Sequence, residues 1–220
     1  MDATKRILEF ARQAGVTDCL YVSSGAVYGP QPPHIPHRDE EYAAASDVPP
    51  SPYAEGKRMA EGLCAEYQKR FGLETKIARA FSFVGPHLPI DRHNALGNFM
   101  RDGLSGGPIR VTGDGTPRRS YLYGADLAVW LWTILTQGAA GRPYNVGSEE
   151  DRTLAEVAAQ VARHFGTTVE ISRKPVPGAN GDRYVPSTQR ARKELGLKEQ
   201  IGLEEAVRRM AQWCEAGRLQ

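Results

Sequence analysis

Cys19-Leu20-Tyr21-Val22 is a short run with no polar residue, standing between two stretches of helical spacing, and it does most to limit the folds open to this chain. A strand apolar at every position has no solvent face, so it predicts a parallel strand covered on both sides. The flanking patterns supply the cover. Ile7, Leu8, Ala11 and Ala14 recur at helical spacing over 3–14, and Gly15 gives a C-terminal stop. Ser51-Pro52 reads as an N-cap and first helical residue, after which Met59, Leu63, Tyr67 and Phe71 stripe one face until Gly72. A second buried strand is expected at Thr75–Ala80. Helix, strand, helix, strand predicts an α/β fold built on a partial doubly wound parallel sheet.

From Val84 onward the punctuation changes. Gly85-Pro86, Gly106-Gly107-Pro108 and Gly113-Asp114-Gly115-Thr116 separate shorter elements, which predicts a smaller carboxy-terminal lobe threaded through the sheet domain. Asp126–Gln137 is a strongly apolar helix closed by Gly138, expected to be largely buried. Tyr144-Asn145-Val146 reads as a third short strand. Thr153-Leu154-Ala155-Glu156 is a capping box opening a helix that buries Leu154, Val157, Val161 and Phe165. Leu203–Cys214 is amphipathic through Val207, Met210 and Trp213. The expected division is 1–83 for the sheet domain and 84–220 for the lobe, with the last sheet strand, about 143–147, interleaved.

Composition excludes several classes. With 40% hydrophobic and 25% charged residues the chain is neither collagen-like nor disordered. A net charge of +2 gives no nucleic-acid signature, and Arg118-Arg119 and Arg190–Lys193 lack interleaved aromatics. The longest apolar run, 127–135, is far shorter than the ~20 residues a membrane helix needs. There is no apolar leader after Met1, and Cys19, Cys64 and Cys214 form no disulfide framework, so a cytoplasmic location is expected. His34 and His37 lie three apart in a Pro-rich loop without a third ligand, and no metal is expected; His87, His93 and His164 read as surface or lobe residues.

Tyr53 and Lys57 are four apart near a helix start, so both project from one face. An ammonium beside a phenol favours the phenolate, drawing a tyrosine down from about 10 toward the working pH, where it can exchange a proton with a sugar hydroxyl. Alone, that spacing is common in helices. Ser23-Ser24-Gly25-Ala26-Val27-Tyr28-Gly29 strengthens it, because it follows a buried strand whose carboxyl end is where open α/β sheets bind ligands. The order of that segment, then Ser51–Lys57, then Arg79-Ala80-Phe81-Ser82-Phe83-Val84-Gly85-Pro86, then Gly113–Thr116 with Arg119, resembles the NAD-dependent epimerase/dehydratase family. This is the nucleotide-sugar branch of the extended short-chain dehydrogenases/reductases.

The resemblance implies a Rossmann-like sheet, NAD as cofactor and a nucleotide-diphosphate sugar as substrate. It implies that Ser24 hydrogen-bonds the sugar C4 hydroxyl, that Tyr53 takes its proton, and that Lys57 holds the nicotinamide ribose while lowering the tyrosine pKa. Ser23 and Phe81 join Tyr53 and Lys57 on the cofactor side, and Ser82, Asn94, Arg119 and Arg183 on the substrate side. Guanidinium groups at 119 and 183 would suit the diphosphate, although each residue alone also fits a surface ion pair. A homodimer through helices 3–14 and 52–71 is a further implication.

Two departures qualify it. Dehydrating relatives place Asp-Glu directly after the hydroxyl residue and decarboxylating relatives keep the second acid, whereas Gly25 and Ala26 stand here. C4 oxidation and reduction, as in a 4-epimerase or 4-ketoreductase, is therefore expected over 4,6-dehydration; Ser82 also stands where many relatives carry Asn. No strand with a Gly-x-x-Gly-x-x-Gly turn opens the chain, and Gly103–Gly107 cannot replace it, so the chain reads as the second half of such an enzyme and should bind NAD weakly or not at all by itself. The strand at 19–22 would then keep an open edge that invites association. The alternative is a truncated, non-catalytic module binding a nucleotide sugar or a partner chain.

Overall fold

A computed structural model describes residues 2–29, 51–90, 94–176 and 181–217. Three parallel strands form the main sheet in the order β1 (Asp18–Ser24), β2 (Glu74–Ala80), β7 (Pro143–Val146). Ser24 lies opposite Ala80 and Ala80 opposite Val146, so all three strands end at one level. Helices α1 (Asp2–Gln13) and α2 (Pro52–Phe71) pack Leu8, Ala11, Cys64 and Tyr67 against Cys19 and Tyr21 on one face. α4 (Gly124–Gln137) lays Trp130 and Ile134 on Leu20, Ala78 and Val146 on the other. Helices on both faces of a parallel sheet are the expected doubly wound layering.

Local chemistry explains the ends of α2. The Ser51 hydroxyl accepts from the Ala54 amide at 3.2 Å, Pro52 opens the helix, and Gly72 closes it at φ 71°.

The lobe packs α3 (Ala95–Leu104), α5 (Leu154–Phe165) and α7 (Leu203–Gly217) with the pair β4 (Ile109–Val111) and β9 (Val169–Ile171), around Leu96, Met100, Ile109, Val157, Val161 and Met210. The Thr153–Glu156 capping box is formed. β3 (Phe83–Val84) pairs with β6 (Leu122–Tyr123). Near the sheet's carboxyl end, β5 (Arg118–Arg119) joins β10 (Arg183–Tyr184) in parallel and β8 (Arg152–Thr153) in antiparallel fashion. α6 (Gln189–Leu195) follows and leans on β7.

Burial corrects the reading from periodicity in five elements. α4 is not largely buried: Asp126, Trp130 and Ile134 are, whereas Val129 and Trp132 are 59% and 67% exposed. A helix apolar on every side can cover the sheet with only one of them. Val22 is exposed and Cys19, Leu20 and Tyr21 only half-buried, because β1 is the edge strand among the described residues. α2 buries Tyr67 as expected but turns Ala60 and Cys64 inward with it, and leaves Met59 and Phe71 outside. Ile7 and Trp213 are likewise exposed, Trp213 with its ring 4.4 Å from that of His87.

Candidate active site

β1 delivers Ser23 and Ser24 to the carboxyl edge of the sheet, where the chain turns through a 3-10 segment, Gly25–Tyr28. Ser24 caps that turn, its Oγ accepting from the Ala26 amide at 3.2 Å. Two arginines fix the turn from outside. Arg58 of α2 donates through Nε to the Val27 carbonyl at 2.8 Å. Arg79 of β2 donates to the Tyr28 hydroxyl at 2.9 Å, and that hydroxyl donates to Asn145 Oδ1 at 2.8 Å. Arg79 also forms an ion pair with Glu61 at 2.8 Å. Burial opposes the Arg79 charge, but its hydrogen bonds to Glu61 and the neighbouring Tyr28 outweigh this and hold the guanidinium firmly protonated.

Gly25 is required by what lies beside it. A Cβ there would stand 2.5 Å from the Phe81 ring, which is 7% exposed and wedged between Tyr28 and Tyr184, at 6.3 Å and 4.7 Å between ring centroids. Gly25→Ala should therefore displace Phe81 and cost about 1–3 kcal/mol by overpacking. Denaturant unfolding measures it, and an unchanged midpoint would mean that the ring has room to turn.

Tyr53 occupies the first turn of α2 and is 58% exposed. Lys57 Nζ sits 5.8 Å from the Tyr53 ring centroid and donates to the Val22 carbonyl at 2.9 Å, tying α2 to the end of β1. Ser23 is buried with no partner for its hydroxyl, an unsatisfied group of the kind that marks a ligand contact. Across the cleft, the Tyr184 hydroxyl comes within 3.4 Å of Ser24 Oγ.

A cavity of about 510 Å3 opens beside this edge, lined among others by Phe81, Ser82, Asn94, Arg119 and Tyr121. Four residues singled out from the sequence thus meet on one wall although they lie far apart in the chain. Asn94 doubles as the cap of α3, accepting from the Gly97 amide at 3.4 Å. Arg119 donates to the Asp182 carboxylate at 2.9 Å. Arg183 is placed against Asp151 at 3.4 Å, sharing that carboxylate with Arg118, whose Nε lies 2.7 Å away. Burial pushes the Tyr121 phenol up to about 12, against the pull of Arg119, so it presents a neutral hydroxyl. A second cavity of about 240 Å3 shares Ala95 and Leu154 with the first and adds Asn98, Arg101 and Arg110.

The sequence assigns no role to Tyr121, Tyr184 or Asp182. Strand alternation from Arg119 offers a signal for Tyr121. Nothing local connects Asp182 to Arg119 or Tyr184 to Ser24. His34, His37 and His93 lie outside the described residues; among the described residues no group of three His, Cys, Asp or Glu side chains is placed to hold a metal, and no helix is long and apolar enough to cross a membrane.

The model of the NAD dependent epimerase/dehydratase family matches residues 1–147. UDP-glucuronic acid decarboxylase 1 of Arabidopsis thaliana is 30% identical over 208 residues, which cover 94% of this chain and 47% of that protein. The chain spans about half the length of the curated relatives it matches. Among solved structures, the UDP-glucose 4-epimerase of Thermus thermophilus in complex with NAD is 28% identical, with a TM-score of 0.80 over 96% of this chain and 68% of that one. The UDP-glucose 4-epimerase of Thermotoga maritima with UDP-glucose reaches a TM-score of 0.86 over 98% of this chain and 69% of that one; at 21% identity the likeness is one of fold.

Proposed function

This chain belongs to the NAD dependent epimerase/dehydratase family, and from that premise we propose that it carries the sugar side of a C4 oxidation–reduction site for a nucleotide-diphosphate sugar, of the 4-epimerase or 4-ketoreductase kind. One observation carries the choice of chemistry. The two positions after Ser24 are Gly25 and Ala26, and the space beside Gly25 is taken by Phe81, so no carboxyl group stands there to protonate a leaving hydroxyl or to assist decarboxylation. In this reading Ser24 donates a hydrogen bond to the sugar O4, Tyr53 accepts the O4 proton, and Lys57, braced on the Val22 carbonyl, holds a ribose hydroxyl beside the phenol. Residues 1–83 supply these groups, and 84–220, apart from the interleaved sheet strand at about 143–147, form the substrate lobe.

The chain's residues fit NAD at its nicotinamide end, where the unpartnered Ser23 hydroxyl, Tyr53, Lys57 and Phe81 converge on the end of β1. A nicotinamide held there would supply reversible hydride transfer at C4. These 220 residues contain no Gly-x-x-Gly-x-x-Gly turn, so by themselves they hold the cofactor weakly. That same lack favours the second reading, a nucleotide-sugar-binding module without turnover. The diphosphate goes to Arg119, and the nucleoside to the adjoining cavity with Arg101 and Arg110. Exposed Ile7, Phe10 and Met59 on α1 and α2 suit a homodimer through those helices.

Titration calorimetry with UDP-glucose tests the binding half of this reading. Arg119→Ala should weaken binding by about tenfold or more, the value of a lost charge-assisted contact. Equal affinity in the two proteins would reject the site.

A further inference from the structure

Three arginines cluster on β5 and β10, and their carboxylate partners differ in kind. Asp151 is mostly buried, its side chain 18% exposed, and is shared between Arg118 and Arg183. Asp182 serves Arg119 and is 59% exposed. Of the three arginines, Arg119 lines the large cavity. Its Nη1 donates to the carbonyls of Arg118 and Asp182 at 2.8 and 3.0 Å, which sets the plane of the guanidinium on the backbone. Its Nη2 donates to the Asp182 carboxylate. The Asp182 backbone is held separately, its carbonyl accepting from the Arg118 amide at 2.8 Å, so the carboxylate can turn away about its own side-chain bonds without moving β10.

We propose that Asp182 is a built-in competitor that sets the affinity threshold of the site: its carboxylate takes the anion seat on Arg119, and a ligand enters by exchanging with it. The inference rests on the reading of this cavity as a diphosphate seat. A phosphate group within reach of Arg119 is also near Asp182, and like charges so placed repel, so every anion must first turn the carboxylate out. An exposed ion pair is weak enough to be opened in this way. The cost is common to all anions, while the return grows with ligand charge and with contacts to both Arg119 and the rest of the wall. Asp182 therefore lowers the affinity of every anion by a similar factor, so that a ligand with further contacts to the wall, such as a diphosphate, still fills the seat at concentrations where a small anion does not.

Calorimetry on the full chain with UDP-glucose and with inorganic phosphate, at two salt concentrations, tests it. Asp182→Asn keeps the shape and removes the charge. The variant should bind UDP-glucose on the order of fivefold tighter, gain by a similar factor for inorganic phosphate, and lose that gain when Arg119→Ala is added. Affinity equal to or weaker than that of the unaltered chain, with an unchanged melting temperature, would show that Asp182 orients Arg119 and does not compete with the ligand, and would overturn the proposal. Binding that is absent throughout, or indifferent to Arg119, would reject the diphosphate-seat reading and this inference with it.

Discussion

Tyr53→Phe should lower nucleotide-sugar turnover by about 100-fold or more with little change in substrate affinity, measured by steady-state kinetics once the glycine-rich NAD seat is supplied by a longer chain or a second polypeptide. The substitution is clean because of where Tyr53 lies. It occupies the first turn of a helix whose start is set by Ser51 and Pro52, and more than half of its surface is in solvent. Removing the phenolic oxygen therefore disturbs no packing, and phenylalanine keeps the ring near Lys57. A residue that only shaped the cleft would change KM along with kcat; a proton acceptor for O4 changes kcat alone. Unchanged turnover would reject the role given to Tyr53.

Glu61→Ala should destabilise the fold by about 3–5 kcal/mol, because it leaves the Arg79 charge without its partner in a buried site. The two side chains are 15% and 12% exposed, and Glu61 takes both Nε and Nη2 of Arg79, at 3.1 and 2.8 Å. Arg79 in turn holds the Tyr28 hydroxyl, and Tyr28 holds Asn145 on β7. The same change should thus loosen the turn that presents Ser24, so stability and any turnover fall together. Glu61→Gln, which keeps an acceptor for Arg79, should cost less. Chemical denaturation measures both, and a loss under about 1 kcal/mol for the alanine variant would mean that solvent reaches Arg79 when its partner goes.

The elements are readable where capping and turn residues state their positions. Ser51-Pro52 and Gly72 bracket α2, and Thr153 with Glu156 opens α5, as the local chemistry requires. Burial is less legible. An apolar helix such as α4 does not reveal which side meets the sheet, and Trp132 and Val129 lie outside while Trp130 and Ile134 lie within. The site divides in the same way. Ser24, Tyr53 and Lys57 stand in motifs resembling a known family, and the structure brings Lys57 to Tyr53 and to the strand that ends in Ser24. Tyr184 meets Ser24 across 160 positions and Asp182 meets Arg119 across 63. Such contacts are products of the tertiary fold, and no spacing within a helix or strand announces them.

The chemistry assigned to Ser24, Tyr53 and Lys57 is tested most directly by the mass of the product formed from a UDP-hexose deuterated at C4, with the NAD seat supplied. A site that only moves a proton at O4 and a hydride at C4 gives either an isomer of the substrate that still carries its deuterium at C4, when the hydride is returned, or the 4-keto sugar with the deuterium left on the cofactor, when it is not. That is the expected result for a chain with Gly25 and Ala26 after its serine. A product lighter by one water, or by carbon dioxide when a UDP-hexuronic acid is the substrate, would contradict it and would require an acid group at this site that neither Gly25 nor Ala26 provides.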